Sequence, residues 1–188
     1  MASSLDHAPV ATIWTVGHSV RTEQEFLDLL QTYRIEGLAD VRRFPGSRRH
    51  PHFSGDALSR SLPTRKLDYL WISKLGGRRK PLPDSPNVAW RNPSFRGYAD
   101  YLATPEFSEG IDELVRFAAR RRTAIMCSEA LWWRCHRALI SDVLLCAGIE
   151  VVHILDATHS SRHGYSSAAR IVEGQLDYTG NGAPATGS

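Results

Sequence analysis

The pattern that most constrains the fold is a predicted strand, helix and second strand that follow one another near the start of the chain. Residues 12–16 are all β-branched or aromatic, and Gly17 ends the run. Thr22 followed by Glu25 has the capping-box spacing that begins a helix, and residues 38–42 then predict a second strand. A βαβ unit of this kind makes the two strands parallel and joins them by a right-handed crossover.

The rest of the chain continues this alternation. The later strands are predicted at residues 67–72, 123–126 and 149–155, and the later helices at 56–62, 95–102, 105–121 and in the segment that ends at Ala147. The pattern predicts the α/β class, with a mainly parallel β-sheet flanked by helices in a Rossmann-like three-layer sandwich. We expect a single domain over residues 12–178, a flexible segment at 1–11 and a disordered tail at 179–188.

The composition argues against a membrane or secreted protein. Hydrophobic residues make up 42% and charged residues 23% of the 188 residues, which is ordinary for a soluble globular domain. No apolar run approaches the roughly 20 residues of a membrane helix, and the first residues do not have the layout of a secretion signal. We therefore expect a cytoplasmic protein with no membrane partner. Its three cysteines are expected to be free thiols, with Cys146 in the core.

Chemically reactive residues follow the ends of three predicted strands. His18 follows the first strand, Asp40 lies in the second, and Cys127 with Glu129 follows the fourth. The carboxyl ends of parallel strands meet at one edge of a sheet, where open α/β sheets bind their ligands. We therefore expect these four residues to form a catalytic group at that edge.

Each of these residues also has a structural interpretation, which the sequence leaves open. His18 could be a buried structural histidine, and Asp40 could form an ion pair with Arg42. Cys127 lies just before a predicted helix, whose N-terminus would lower the pKa of the thiol, but it could equally be an inert buried thiol. Glu129 could interact only with the dipole of that helix, or act as an acid or base in an apolar pocket.

Arginine-rich segments indicate an anionic partner. The net charge is only +3, but Arg42, Arg43, Arg48 and Arg49 cluster in a loop that proline and glycine keep irregular. Arginine binds phosphate and carboxylate groups through paired hydrogen bonds, and aromatic side chains near arginines could stack on bases. The predicted substrate-binding residues are Arg42, Arg48, Arg49, His50, Tyr98, Trp132, His136 and Arg137.

A metal site is possible but not favoured, and no cofactor is evident. Cys127, Glu129, Cys135 and His136 are all potential ligands, yet their spacing is not one that is typical of zinc sites. On the predicted helix, Cys135 and His136 would point about 100° apart, and Cys135 would face the core. A cysteine-phosphatase loop is also disfavoured, because Arg134 lies seven rather than six positions after Cys127.

Six short motifs together resemble a bacterial family. They are TVGHS at residues 15–19, DVR at 40–42, SRRH at 47–50, LGG at 75–77, FRGY at 95–98, and MCSE at 126–129 with RCHR at 134–137. Their order, across about residues 12–178, resembles the family catalogued as domain of unknown function number 488. The resemblance implies no settled activity. The chain has Trp132 and Trp133 where the family pattern has one aromatic residue and a proline.

These residues predict an enzyme that carries out hydrolytic or transfer chemistry on an anionic, phosphate-bearing substrate, either a nucleotide or a nucleic acid. Dinucleotide-binding and Walker motifs are absent from the sequence, which favours these reaction types. The alternative is a nucleic-acid or nucleotide binding module without turnover, in which the cysteines are structural. In both cases the partner is an anionic small molecule, a nucleotide or a nucleic acid, and the oligomeric state stays open.

Overall fold

A computed structural model describes residues 11–46 and 48–181 of the chain. Its main sheet contains β1 (Thr12–Gly17), β2 (Gly37–Asp40), β3 (Asp68–Trp71), β4 (Thr123–Cys127), β5 (Glu150–Ile154) and β6 (Ser160–Arg162). These strands lie in the order β3-β2-β4-β1-β5-β6. Every pairing is parallel except that of β5 with β6.

Helices cover both faces of this sheet. They are α1 (Glu23–Thr32), α2 (Gly55–Thr64), α3 (Pro93–Tyr101), α4 (Pro105–Ala118) and α5 (Arg137–Cys146), with 3-10 turns at Pro51–Phe53, Ser73–Leu75 and Trp132–Arg134. A separate hairpin consists of β7 (Arg170–Val172) and β8 (Gln175–Asp177). None of the helices in the described ranges has the length and apolar character needed to cross a bilayer.

Local signals in the sequence begin and end several helices. Thr22 and Glu25 form the predicted capping box at α1, since each side chain accepts a hydrogen bond from the main-chain amide of the other residue. Thr104 caps α4, with Pro105 in the first turn, also as predicted. Gly148 has a φ of +80°, the left-handed conformation that commonly follows the last turn of a helix, here α5.

Two apolar clusters lie on opposite faces of the sheet. Leu38, Ala124 and Met126 join the cluster that contains the apolar sides of α1 and α2. Ala39 and Ile125 join the other cluster, which α3, α4 and α5 complete. Neighbouring residues of one strand enter different clusters because successive side chains point to opposite faces. The predicted three-layer α/β sandwich with a mainly parallel sheet is confirmed.

Several element boundaries differ from the predicted ones. β4 ends at Cys127, one residue later than predicted, and α4 ends at Ala118 although the helical pattern extends to residue 121. α3 begins at Pro93 because the side chain of Asn92 accepts hydrogen bonds from the first-turn amides. The short strands β6, β7 and β8 have no counterpart among the predicted elements. The predicted flexible ends fall mostly on residues 1–10 and 182–188, which lie outside the described residues.

Candidate functional site

The carboxyl ends of three neighbouring parallel strands meet at one edge of the sheet, as predicted. Gly17 of β1 lies beside Cys127 of β4, and Asp40 of β2 lies beside Met126. The surface at this edge opens into a cleft of about 430 Å³. Ligands of open α/β sheets bind in such crevices, so this cleft is the candidate site.

Three kinds of side chain line the cleft, and we name them by their chemistry: a basic wall, an aromatic wall and a floor with reactive groups. The basic wall consists of Arg42, Arg43, Arg78 and Arg134. The aromatic wall consists of Phe44, Phe95 and Tyr98. The floor contains Cys127, Cys135 and His136, and we call these three residues the floor cluster. Ser128 and Glu129 also line the cleft.

The floor cluster brings together two thiols and an imidazole from the end of β4 and from the residues just before α5. One donor atom from each residue lies within 4.8 Å of the others, and Cys135 Sγ is 3.6 Å from His136 Nδ1. Cys127 is only 7% exposed and Cys135 only 5% exposed. Both sulfur atoms are therefore almost enclosed, and the cleft is their route to solvent.

The chain between β4 and α5 differs from the prediction. After Cys127 it forms a loop and the Trp132–Arg134 turn, and α5 begins only at Arg137. Cys135 is extended, with φ −131° and ψ 150°. Cys135 and His136 therefore precede the helix, and both can face the cleft. Within a helix, their side chains would point about 100° apart. Glu129, predicted in a first helical turn, is exposed in the loop.

Of the two interpretations of Cys127, the pKa values favour a buried thiol over one with a lowered pKa. The pKa of Cys127 is raised well above the usual value, first by the hydrogen bond shared with Cys135 and then by burial. The pKa of Cys135 is lowered to about 6, because the hydrogen bond from Cys127 and the charge of Arg137 outweigh burial. Arg137 Nε lies 3.5 Å from Cys135 Sγ. This guanidinium therefore favours the thiolate form of Cys135.

Arg137 is buried behind the floor cluster. It is 1% exposed, and its guanidinium donates to the main-chain carbonyls of Glu129 and Ala130 and to Thr15 Oγ1. A Cβ atom on Gly17 would lie 2.0 Å from that Glu129 oxygen, so only glycine lets β1 pass this close to the loop. Arg137 holds the loop in place and does not line the cleft, where it was expected to contact an anion.

The imidazole of His136 has a fixed orientation. Its Nε2 lies 2.9 Å from the carbonyl oxygen of Val41, and a carbonyl only accepts. In the neutral ring Nε2 therefore carries the proton, and the lone pair is on Nδ1, the nitrogen nearer Cys135. Gly77 packs against the ring, since an added Cβ would lie 2.7 Å from Nδ1, and the ring centroid of Tyr98 is 5.1 Å away.

Asp40 and Arg42 form a buried ion pair beside the cleft. Arg42 donates from Nε to Oδ1 at 2.8 Å and from Nη2 to Oδ2 at 2.5 Å, and Tyr69 donates to Oδ2 at 2.8 Å. Burial opposes the charge of Arg42, but the contacts with Asp40 outweigh it and raise the pKa of the guanidinium. The Asp40 carboxylate is fully buried and fully engaged, so we assign it to positioning Arg42, which lines the cleft.

His18 lies behind Arg42, and the structure does not place it in the cleft lining. Its ring stacks on Phe53 with centroids 4.3 Å apart, and Nδ1 is 2.9 Å from the carbonyl oxygen of Ser19. Nε2 is 3.4 Å from Arg42 Nη1. Burial is the main reason why the pKa of His18 is lowered to about 4. The ring is therefore neutral near pH 7 and can accept a hydrogen bond from Arg42.

The remaining predicted binding residues divide between the cleft and its surroundings. Arg48 and Arg49 are exposed outside it, and His50 is half-buried with its ring centroid 6.3 Å from that of His18. Trp132 stacks on His153, with ring centroids 4.0 Å apart and planes 6° apart. Ser47, from the motif at 47–50, lies outside the described residues. The predicted site residues that do line the cleft are Arg42, Tyr98, Cys127, Glu129 and His136.

Sequence reasoning missed a large part of the cleft lining. Arg43, Arg78 and Arg134 line the cleft, as do Phe44 and Phe95. The arginine clusters around Arg43 and Arg78 are a usable signal in the sequence, but a cluster does not show which guanidinium faces a cleft. An apolar residue inside a basic loop is a second signal. Phe44 is such a residue, and the structure shows it to be 64% exposed.

A second buried polar network lies beside β1 and was not identified from the sequence. His153 Nδ1 is 2.7 Å from Thr15 Oγ1, and His153 Nε2 is 2.9 Å from His163 Nδ1. His163 Nε2 is 2.9 Å from Asp142 Oδ1, and Tyr178 donates to Asp142 Oδ2 at 2.7 Å. Burial, followed by nearby positive charge, lowers the pKa of His153 to about 2. The network ties the C-terminal segment to α5 and β5.

A family model described as Domain of unknown function DUF488 matches residues 22–144, well over half of the chain. The match contains the floor cluster and the basic wall, whereas Gly17 and His18 precede it. No curated protein and no solved structure shows a significant match to the chain.

Proposed function

This chain belongs to the DUF488 family, whose description assigns no activity, and we propose that it is an enzyme acting on an anionic, phosphate-bearing substrate, a nucleotide or a nucleic acid. The proposed chemistry is hydrolysis or group transfer at the floor cluster. One observation carries the proposal: Arg43, Arg78 and Arg134 line the same cleft as two thiols and an imidazole.

The basic wall supports an anionic substrate. Within residues 11–46 and 48–181, no carboxylate forms an ion pair with Arg43, Arg78 or Arg134. Arg43 Nη1 donates to the main-chain carbonyl of Arg78 at 2.9 Å, which holds the two segments of the wall together. Guanidinium groups that have no carboxylate partner in a concave site bind phosphate oxygens through charge-assisted hydrogen bonds.

The aromatic wall supports a nucleotide rather than a simple inorganic anion. Phe44 is 64% exposed and Phe95 is half-buried, so each leaves part of its ring open to a ligand. A base of any type can stack on an exposed aromatic ring. The cleft volume of about 430 Å³ also lies within the range of about 300–1,000 Å³ that is usual for small-molecule sites.

The floor cluster supports chemistry in addition to binding. Thiol and imidazole groups at the base of a ligand cleft act as nucleophiles, acid–base groups or metal ligands. Cys127, Cys135 and His136 are close enough to act on one bound atom, since their donor atoms lie within 4.8 Å of one another. Glu129 is exposed beside them and is suited to carry a proton to or from a leaving group.

A binding module without turnover is the competing function, and one observation favours it. Arg48 and Arg49 are exposed beyond the cleft, on the same loop as Arg43. With Arg43 they form a basic surface that continues outside the cleft. Such a surface suits contacts with successive phosphates of a nucleic acid, which weaken steeply as salt concentration increases.

Binding measurements test the anionic part of the proposal. Calorimetric titrations with nucleotides and with short single-stranded DNA and RNA, at low ionic strength, should reveal a ligand whose affinity falls as salt is added. Arg78→Ala and Arg134→Ala should each weaken binding by about 10-fold or more, because a charge-assisted hydrogen bond contributes about 1.5–3 kcal/mol. Arg120→Ala is the matched control, since this exposed arginine precedes β4 at the opposite edge of the sheet.

Turnover separates the enzyme from the binding module. The bound ligand should be converted to product, detected by mass spectrometry, and Cys135→Ser should abolish conversion while retaining binding. If Arg78→Ala and Arg134→Ala bind as well as Arg120→Ala, the anion site is refuted. If the ligand binds but stays intact, and Cys135→Ser behaves like the unmodified chain, the binding module is the function.

A further inference from the structure

We propose that the floor cluster binds one divalent transition metal ion of the zinc type, held by Cys127 Sγ, Cys135 Sγ and His136 Nδ1. Two thiolates and an imidazole are ligands that zinc prefers over harder cations. Cys127 comes from the end of β4, whereas the other two ligands come from the residues just before α5. Folding of the loop between β4 and α5 brings the three ligands together. The absence of a zinc-type spacing in the sequence therefore does not argue against the metal site.

Distances within the floor cluster match a tetrahedral ion. Zinc bonds of about 2.3 Å to sulfur and about 2.05 Å to nitrogen, at the tetrahedral angle, separate those two ligand atoms by about 3.6 Å. Cys135 Sγ and His136 Nδ1 are 3.6 Å apart. Two sulfur ligands would be about 3.8 Å apart in the same geometry, and the three donor atoms lie within 4.8 Å of one another. Changes of about 1 Å in the distances between donor atoms therefore complete the site.

The hydrogen bond on His136 leaves the correct nitrogen for a metal. Nε2 donates to the Val41 carbonyl at 2.9 Å, so Nδ1 presents its lone pair on the side of the ring nearer Cys135. A histidine bound to a metal commonly donates its other N–H to a carbonyl or carboxylate, which fixes the ring and increases its basicity. The close approach of Gly77 to the ring further restricts its rotation.

The charges behind the cluster suit anionic sulfur ligands. Arg137 is 1% exposed, and its Nε donates towards Cys135 Sγ at 3.5 Å. No carboxylate of the described part of the chain pairs with this guanidinium. A buried charge is costly unless it is paired, and a metal-bound thiolate supplies a counter-charge beside this guanidinium.

The cluster leaves one coordination position for a ligand from the cleft. Three protein ligands with an open fourth position are typical of catalytic zinc, whereas structural zinc usually has four protein ligands. An ion at this position would polarise a bound water molecule or a phosphate oxygen held by the basic wall. That catalytic role rests on the proposed function, whereas metal binding rests only on the three ligand groups.

Metal content and cobalt spectroscopy test the site. The full chain, expressed without a histidine tag and purified without chelators, should contain about one zinc ion per chain by plasma mass spectrometry. After removal of the metal, addition of Co²⁺ should produce thiolate-to-cobalt charge-transfer absorption and the d–d bands of tetrahedral cobalt. Both readouts are independent of catalytic activity.

Substitutions identify the ligands. Cys127→Ser, Cys135→Ser and His136→Gln should each lose most of the zinc and of the thiolate charge-transfer band. Cys146→Ser removes the third cysteine, which lies near the end of α5, and should keep both. Circular dichroism verifies that each variant is folded. If a ligand variant does not fold, the cobalt spectrum of the unmodified chain still decides the proposal.

The outcomes separate the metal site from the proposed enzyme. Absence of thiolate charge-transfer absorption in the cobalt-treated chain, or equal zinc content in Cys135→Ser and Cys146→Ser, overturns the metal site. Full turnover by metal-free protein would overturn its catalytic role. A stoichiometric metal with no turnover of any phosphate-bearing ligand would support the metal site and count against the proposed function.

Discussion

His153 provides a direct test of how the buried interior responds to pH. Its ring is 1% exposed, both ring nitrogens have hydrogen-bond partners, and Trp132 stacks on one face. A protonated ring would bring a charge into this site without a carboxylate beside it, since its neighbours are Thr15 and His163. We therefore expect the folded protein to keep His153 neutral at pH values where an unfolded chain is protonated.

The magnitude follows from the two pKa values of His153. Histidine in an unfolded chain has a pKa of about 6.5, and burial lowers that of His153 in the folded protein to about 2. As the pH falls, the unfolded chain binds the proton first, so this contribution to stability is complete above about pH 6.5 and is lost progressively below it. Each pH unit in that range costs about 1.4 kcal/mol. Between about pH 7.5 and about pH 5 the loss from this residue is about 2 kcal/mol.

Urea denaturation over this pH range, followed by tryptophan fluorescence, measures the effect. His153→Gln removes the titrating group. Between about pH 7.5 and about pH 5, the unfolding free energy of the variant should therefore fall by about 2 kcal/mol less than that of the unmodified chain. Any constant cost of the substitution cancels, because only the pH dependence is compared. His159→Gln removes a histidine whose side chain is 72% exposed and is the comparison variant for loss of a surface histidine.

Parallel pH profiles for His153→Gln and the unmodified chain would refute the reasoning. A second measurement does not depend on the variant: the NMR signals of His153 in the unmodified chain should not titrate between about pH 7.5 and about pH 5. A titration midpoint near 6.5 would show that the ring is accessible to protons and that its burial has little electrostatic effect.

Two further substitutions test how the cleft is held. Gly77→Ala places a Cβ 2.7 Å from His136 Nδ1 and should cost about 1–3 kcal/mol of unfolding free energy. Gly164→Ala is the control, because a Cβ there meets no atom within 4 Å. Equal costs of the two variants in urea denaturation would contradict the tight packing at Gly77. Asp40→Asn leaves the buried Arg42 without its counter-charge and should cost about 3–5 kcal/mol by the same assay. If Asp40→Asn costs less than about 1 kcal/mol, groups other than Asp40 compensate the buried charge of Arg42.

Much of the fold could be predicted because its signals are local. The capping box of Thr22 and Glu25 and the cap at Thr104 involve residues within one helical turn of each other. The β-branched and aromatic residues of β1 likewise indicate a strand from composition alone. Once the strands are known to be parallel, their carboxyl ends share an edge, and the position of the site follows.

The composition of the site could be predicted only in part. The apolar pattern from residue 131 onwards predicts a helix, whereas Cys135 is extended and the helix begins at Arg137. The loop before α5 depends on contacts between Arg137 and the carbonyl oxygen of Glu129, and on the absence of a side chain at Gly17. Gly17 lies far from this loop in the chain, and Arg137 follows Glu129 by eight residues, so no short local pattern reports these contacts.

The sequence by itself determined the layers of this protein, the parallel sheet and the edge at which reactive residues collect. Capping and periodicity depend on residues a few positions apart, and parallel pairing then follows from chain connectivity. Only the tertiary structure decided that His136 faces the cleft, that Arg137 does not, and that the pKa of Cys135 is lowered whereas that of Cys127 is raised. Side-chain direction, burial and ionisation depend on distances between segments that meet only after folding.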